Sequence, residues 1–498
     1  MMSAQEQAKS EAAGVKTTTE ENALLDTILS KGMRARDDNA RERGRDLLKE
    51  FVGQLLDPSM VVAKDTEKTI NLRIAEIDRL LTSQLNEIVH HPEFQKLEAS
   101  WRGLHYLVNQ SETGTQLKLR VLNVSKKDLL NDLERASEFD QSALFKKVYE
   151  DEYGTPGGAP FGALIGDYEF GRHPQDMALL ERISNVAAAA HAPFLSAAAP
   201  QLFGWDSFTE LSRPRDLAKI FETNEYVKWR SFRDSEDSRF VGLTLPHTLA
   251  RLPYGQETVP VEAFNFEEDV DGSDHHKYLW TNAAYALGAR LTDSFAKCGW
   301  LATIRGVEGG GAVQGLPTHT FATDDGEIAL KCPTEIAITD RREKELSDLG
   351  LIPLCHFKNT DYAVFFATQS CQKPKLYDRD DANANARLST MLQYILCTSR
   401  FAHYLKAMAR DKIGSFMERN ECEDWLNRWI NNYCVANPES QGPEAKARRP
   451  LREAKIVVRD VKGKPGCYEA VAHLRPHFQL DELSVSLRLV AELPESKG

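Results

Sequence analysis

The stretch INLRIAEIDRLLTSQLNEIVHHPEFQKLEASWRGLHYLVNQSETGTQLKLRV, residues 70–121, contains both periods that govern the chain. Its first part places Ile70, Ile74, Ile77, Leu81, Leu85 and Ile88 every three or four residues, one apolar face of a long helix. His90, His91 and Pro92 end it. A second helix follows, with Phe94, Leu97, Trp101, Leu104 and Val108 on one stripe. From Gln116 the period shortens to two: Leu117, Leu119 and Val121 alternate with polar residues, as in a strand. Helices first, then strands and helices mixed, is the pattern of an α+β protein.

Upstream, residues 1–20 are small, polar and charged, with almost no large apolar side chain, and read as disordered. Leu24, Leu25, Ile28, Leu29 and Met33 form a short apolar stripe that needs a partner surface, because an isolated helix of that length is marginal. Arg34 to Arg45 is charged and solvated. Leu47, Leu48, Phe51, Val52, Leu55 and Leu56 make another stripe, stopped by Asp57-Pro58. These stripes want helical partners, inside the chain or on another.

Downstream, Ser125 to Asp128 fits a cap opening a helix. Residues 174–190 read as a helix. The spacing gives strands at 163–165, 240–245, 328–331, 336–338 and 363–367, with no clean strand–helix–strand rhythm. Residues 383–412 and 416–433 read as two long helices, 437–450 as a polar, basic linker. Three strands close the chain, at 454–461, 468–474 and 483–493. In the last, Val485, Leu487, Leu489 and Ala491 point one way, and Ser484, Ser486 and Arg488 the other.

Composition narrows the function classes. A formal charge of −12 disfavours the surface as a whole for nucleic acid, so a phosphate-binding face would need a local basic patch. The 8 cysteines lie no closer than twelve apart, poor spacing for zinc or a disulfide framework, and read as reduced thiols of a cytoplasmic protein. No secretory leader is expected, and the most apolar stretch, 186–200, is too short to span a bilayer.

Each chemical motif fails on its spacing. The glycine-rich stretch Arg305–Pro317 ends Gly315-Leu316-Pro317 where a P-loop needs Gly-Lys-Ser/Thr. Gln314 stands where a dinucleotide fingerprint needs its last glycine. It reads as a tight loop. Glu267, Glu268, Asp269, Asp271, Asp274, His275 and His276 could hold a cation, but lack the alternate-residue spacing of a calcium loop. A solvated acidic loop is the plainer reading. His90-His91 at a helix end reads as capping, and Trp425/Trp429, one turn apart, as core. Lys446, Arg448, Arg449, Arg452, Lys455, Arg459, Lys462 and Lys464 form a basic run, opposed by few acids and fitted to an acidic partner. No catalytic residue, metal ligand or cofactor is expected. Two alternatives stay open: a soluble metal-dependent enzyme using 267–276, and a non-polymerising adaptor using 446–464.

Four strings resemble one family in its order: RGVEGGGAVQGLPTHTF (305–321), CPTEIAITDRREKELSDLG (332–350), ANARLSTMLQYILCTSRFAHYLKAMARDKIGSF (384–416) and LRPHFQLDELSVSLRLVAELP (474–494). The family is the large subunit of the type VI secretion contractile sheath, the TssC/VipB family, and the likeness runs from about Glu20 to the C-terminus. The resemblance implies a phage tail sheath-like, multidomain α/β subunit that pairs with a small sheath subunit. It stacks with copies of itself around an inner tube protein, meets a baseplate and is dismantled by an AAA+ ATPase. It implies that Leu24, Leu25, Ile28 and Leu29 form the ATPase-recognition helix. It implies inter-subunit strands at Ile456, Val457 and Val458 and at Val485, Leu487 and Leu489. The domains expected are 1–20, a disordered N-terminus; 21–110, a helical region for ATPase recognition and small-subunit pairing through Leu47, Leu48, Phe51, Val52 and Leu55; 111–380, a mixed α/β middle; and 381–498, an inner sheath domain whose helices face the tube.

Overall fold

A computed structural model describes residues 38–55, 66–272, 274–323, 326–415, 417–435, 437–464, 466–477 and 479. By its contacts the chain divides after Ser83 into two units. The first contains the Asp38–Leu55 helix and the larger part of the Thr66–Val89 helix. The apolar stripe read there faces solvent: Ile70, Leu72, Ile74, Ile77, Leu80 and Leu81 are all exposed.

The second unit is built on a six-stranded sheet. In spatial order its strands are Leu164–Phe170, Phe194–Ala198, Val241–Leu245, Ile352–His356, Ala363–Phe365 and Ala312–Val313. The first four are parallel and the last two join antiparallel. The first two strands flank the Pro174–Ala190 helix, so one strand–helix–strand unit does exist. That helix starts where expected, with His173 as N-cap and Pro174 at N1, and ends with His191 in the left-handed region at φ 51°.

Successive strand residues feed opposite cores. Phe194, Ala198, Val241, Leu243 and Leu245 join the Pro174–Ala190 side, with Trp229 and Phe208. Leu195, Ile352, Leu354 and Phe365 join the other, with Leu287, Leu291 and Leu396. Helix 284–298 covers this second face, and the Pro92–Asn109 helix packs on it at Gly103. A Cβ at Gly103 would sit 2.3 Å from Tyr285 Cδ2, so only glycine permits that approach. A third cluster joins Trp300, Phe401, Leu426 and Ile430 to Ile456 and Val458 of a hairpin, Leu451–Asp460 with Tyr468–Pro476.

Several expectations are corrected. Residues 117–121 form no strand, and Val121 and Leu122 are exposed: the alternation is present, but among the described residues no neighbouring strand pairs with it. Residues 336–338 form none either. The helix expected over 383–412 breaks into Asp380–Ser389 and Leu392–Asp411. At the break, Ser370 N donates to Thr390 O and Leu392 N to Thr368 O, so these backbone groups leave the helical ladder for an adjoining extended segment. The 437–450 linker contains a short helix, Pro443–Arg448. The strand at 483–493 and the helix at 24–29 lie outside the described residues.

Candidate interaction surfaces

The acidic run 267–276 is where a metal was conceivable, and the fold uses its charges internally. Glu268 is buried, and Arg251 grips it with Nη1 at 2.6 Å and Nη2 at 3.1 Å. Arg251 Nε also reaches Glu98 Oε1 at 2.8 Å, and Arg102 holds the same oxygen at 2.7 Å. Tyr254 N donates to Glu268 at 2.8 Å, and His90 Nε2 stands 3.3 Å from it. Burial opposes the charge on Glu98, but the two guanidiniums outweigh it and hold its carboxyl below the ordinary range.

A second network surrounds His247. Its Nδ1 meets Glu335 at 2.5 Å and its Nε2 meets Glu169 at 2.9 Å. Ser207 Oγ and Phe208 N also donate to Glu335, and His275 Nε2 lies 3.1 Å away. Burial disfavours the imidazolium, yet the two carboxylates prevail and raise His247 to about 10, while Glu169 and Glu335 are lowered. The remaining acids are also engaged: Asp269 pairs with Lys277, Glu267 accepts from Gln256 N, and Asp274 caps His276 N. Among the described residues no group of three or more His, Cys, Asp or Glu could hold a metal ion.

The glycine-rich loop is equally committed. Gly311 N donates to Gly306 O, and Gly306 N and Phe365 N bond across to Phe365 O and Gly311 O. Those amides hold a turn against the Ala363–Phe365 strand instead of facing a phosphate. A Cβ at Gly311 would sit 2.6 Å from Phe365 O, so the close approach explains the glycine. His91 caps the Pro92–Asn109 helix, as the spacing predicted. Trp429 packs edge-on against Phe401 and Tyr433, a core role.

What remains open is surface for association. In the second unit Ile88, Phe94, Leu97 and Trp101 are exposed, the last at 65%. Contiguous exposed apolar side chains of this kind mark contact sites. In the Asp38–Leu55 helix Leu47 is also exposed; Leu48, Phe51, Val52 and Leu55 belong to the same helix. The hairpin places Ile456 and Val458 in the core and Val457 on the opposite face, half-buried. Of the basic run, Arg452, Lys455, Arg459, Lys462 and Lys464 are exposed on or beside this hairpin. Arg448 pairs with Glu444.

The EvpB/VC_A0108 tail sheath N-terminal domain family matches residues 71–372, and the EvpB/VC_A0108 tail sheath gpW/gp25-like domain family matches 381–493. The chain is 52% identical over 483 residues to the type VI secretion system sheath protein TssC1 of Pseudomonas aeruginosa strain PAO1, 97% of each chain. The chain belongs to the VipB sheath family. It is therefore a type VI secretion contractile sheath subunit, a structural protein and not an enzyme, and both the metal-enzyme and the non-polymerising-adaptor readings fall.

Solved structures are similar at low identity. One is the sheath complex of an extracellular contractile injection system, PVC, in the contracted state (TM-score 0.31, 9% identity, 62% of this chain and 68% of that chain). Another is the anti-feeding prophage baseplate (TM-score 0.35, 9% identity, 75% and 83%). Among the described residues no helix is long and apolar enough to cross a membrane.

Proposed function

We propose that this sheath subunit is the large member of a heterodimer. It pairs with a small sheath subunit and polymerises with its own copies in the cytoplasm around an inner tube on a baseplate. Contraction drives the tube outward, and an AAA+ ATPase then recycles the sheath. The observation that carries the pairing is the exposed apolar side chains of each unit, Ile70, Ile74 and Ile77 in the first and Ile88, Phe94, Leu97 and Trp101 in the second, which no described residue covers. Leu47, Leu48, Phe51, Val52 and Leu55 extend the pairing surface on the preceding helix.

Neighbouring copies are tethered by strand addition, the 483–493 segment with Val485, Leu487 and Leu489 joining the hairpin that carries Ile456, Val457 and Val458. Leu24, Leu25, Ile28 and Leu29 form the ATPase-recognition helix, covered in the extended sheath and presented in the contracted one. The working division is a 1–20 tail, a 21–110 helical region, a 111–380 middle and a 381–498 inner domain.

Co-expression with the small subunit followed by electron microscopy tests the core of this reading. Long hollow tubes are expected, and discrete particles alone refute it. The recognition helix is tested separately. Replacing Leu25 and Ile28 with Asp leaves tubes intact and abolishes ATPase capture in a pull-down; retained capture refutes that assignment.

A further inference from the structure

Two helix ends in the middle of the chain are capped by side chains from far downstream. Helix Pro174–Ala190 closes with His191 in the left-handed region, and its Ala190 carbonyl is one of the groups that a helix end leaves unmet. His403 Nε2 donates to that carbonyl at 2.9 Å, across 213 residues of sequence. The π-helix Lys146–Gly154 ends in the same way: Arg410 Nη2 donates to Tyr153 O at 2.9 Å, across 257 residues. Between the two, Lys406 Nζ bonds Tyr149 Oη at 2.9 Å and stands over the Tyr149 and Tyr153 rings, 4.4 and 3.6 Å from their centroids. Residues 403, 406 and 410 share one face of helix Leu392–Asp411. The capped ends belong to the 71–372 family domain and the capping face to the 381–493 one.

The earlier turns of that helix are held differently. Leu392 and Leu396 are buried in the core with Leu195, Ile352 and Leu354, and Phe401 stacks on Trp300. Apolar packing therefore anchors the first half of the helix, and polar bonds hold its last turns to Lys146–Gly154 and to the end of Pro174–Ala190. A contact made of a few polar bonds can open locally while the core stays closed.

Two imidazoles sit at the centre of this contact. The His191 and His403 ring centroids are 6.3 Å apart, and Tyr153 stands edge-on to both, at 6.0 and 5.2 Å. His403 is buried, and its Nε2 must carry the proton because a carbonyl only accepts. Its Nδ1 is then bare, and among the described residues it has no partner. A second proton there would leave a buried cation without an acceptor. Burial and the positive charges of Arg400, His191 and Lys406 act against protonation of His403, and burial and Lys406 act against that of His191. The acids on the surrounding elements are turned away or engaged. Glu150, Asp151, Glu181 and Asp411 are exposed, and Glu152 is taken by Arg120 and Ala159 N. On the Asp237–Phe240 turn, which packs on both helices, Phe240 meets His191 at 6.2 Å, Arg239 bonds Glu236 O, and burial favours the neutral Asp237 carboxyl.

We infer that His403, Lys406 and Arg410 form an acid-releasable latch between the two family domains. When the His403 and His191 rings take up protons, Lys146–Gly154 and the end of Pro174–Ala190 part from helix Leu392–Asp411, while its Leu392 and Leu396 half stays in the core. Both rings have folded values below the ordinary one, so the latch is complete above about 6.5 and weakens as pH falls toward 4. For His403 alone, with about 4 in the closed latch and about 6.5 in the open one, opening at pH 5 is roughly thirtyfold more favourable than at pH 7.5. His191 acts in the same direction.

Hydrogen exchange on the full chain at several values between pH 7.5 and pH 5, expressed as protection relative to the unstructured rate at each pH, tests this. Protection over 146–154 and 187–192 is expected to fall roughly thirtyfold across that range, while strand Val241–Leu245 stays protected. His403→Gln keeps an N–H donor for Ala190 O and cannot titrate, so its loss is far smaller. His191→Gly suits the left-handed backbone at that position and leaves the Ala190 bond untouched; it loses less than the unaltered chain. The two changes combined give a flat profile. Unchanged protection down to pH 5 in the unaltered chain overturns the inference. So does a loss of the same size in the combined variant, or an equal loss in Val241–Leu245, which would mean global unfolding.

Discussion

Replacing Arg251 with Met isolates the network that holds the Pro92–Asn109 helix. The guanidinium is buried, with 8% of its side chain exposed, and it bridges Glu98 of that helix to Glu268, whose side chain is 1% exposed. Methionine keeps the volume and removes every donor. Breaking a buried pair from one side costs about 3–5 kcal/mol, because the partner's charge stays behind. Here part of the loss is offset: Glu98 keeps Arg102, and Glu268 keeps Tyr254 N and the nearby His90. The lower end, about 3 kcal/mol, is the expected cost. Amide exchange over residues 92–109 reads it directly as faster local opening. Because the pair is buried, added salt leaves the difference nearly unchanged. Arg251→Met/Glu268→Leu loses less than the sum of the two single changes, by about 1–3 kcal/mol of coupling. A single variant within about 0.5 kcal/mol of the unaltered chain refutes the reasoning, since that is the range of an inconsequential surface change.

Three further outcomes are expected. Burial lowers His403 from its ordinary value to about 4; its Nε2 bonds Ala190 O, and among the described residues its Nδ1 has no partner. A depressed folded value means stability is complete above the unfolded pKa and falls as pH drops from about 6.5 toward 4, by up to about 3 kcal/mol; His403→Phe flattens that part of a denaturant-midpoint series against pH. The His247 network behaves oppositely at its two ends. The raised imidazole contributes fully below its unfolded pKa and is lost as pH rises through about 10, whereas the lowered carboxylates of Glu169 and Glu335 contribute above their unfolded values and are lost in acid, so His247→Gln lowers stability most near neutral pH and flattens the decline between about 6.5 and 10. Among the thiols, Cys467 is exposed while burial pushes Cys371 and Cys397 up to about 12. A native-state alkylation series read by mass spectrometry therefore modifies Cys467 first and leaves those two until unfolding.

What was legible depended on whether a residue's role was written in its neighbours along the chain. The Thr66–Val89 helix, the His91 and Ser125 caps and the hairpin strands all carry local period or local hydrogen bonding, and all were readable. Strand Phe194–Ala198 was not: all five residues are buried, with opposite faces in opposite cores, so no polar alternation marks it. The break at Thr390 and Met391 was hidden for another reason. The local sequence favours helix, and a distant segment at 368–370 takes the backbone bonds. Glu268 read as part of a solvated acidic loop because its partner Arg251 lies outside the run, 17 residues earlier, and is itself fixed by Glu98, 153 residues from Arg251. Asn427 carried no signal, since its bonds to Ile456 N and O are made with a strand that arrives 29 residues later.

Internal satisfaction and external incompleteness are connected in this molecule. Among the described residues the buried carboxylates Glu268 and Glu335 are matched to guanidinium or imidazolium, and glycine-loop amides are bonded across the loop, so these groups are already engaged within the chain. The unmet demand lies in two places with different physics. The helical stripe is apolar and non-directional, so its contacts form and re-form without a fixed register. The outer edge of the hairpin's second strand is directional; among the described residues that strand pairs only with the first. Four outward residues there, Tyr468, Ala470, Ala472 and Leu474, provide up to about eight hydrogen-bonding groups, and at roughly 1 kcal/mol net for each bond made the join amounts to several kcal/mol. A sheath that changes shape without dissolving needs both kinds of contact. On the strand-addition proposal, the directional join persists while the subunit bodies turn, and the apolar contacts exchange partners as they turn.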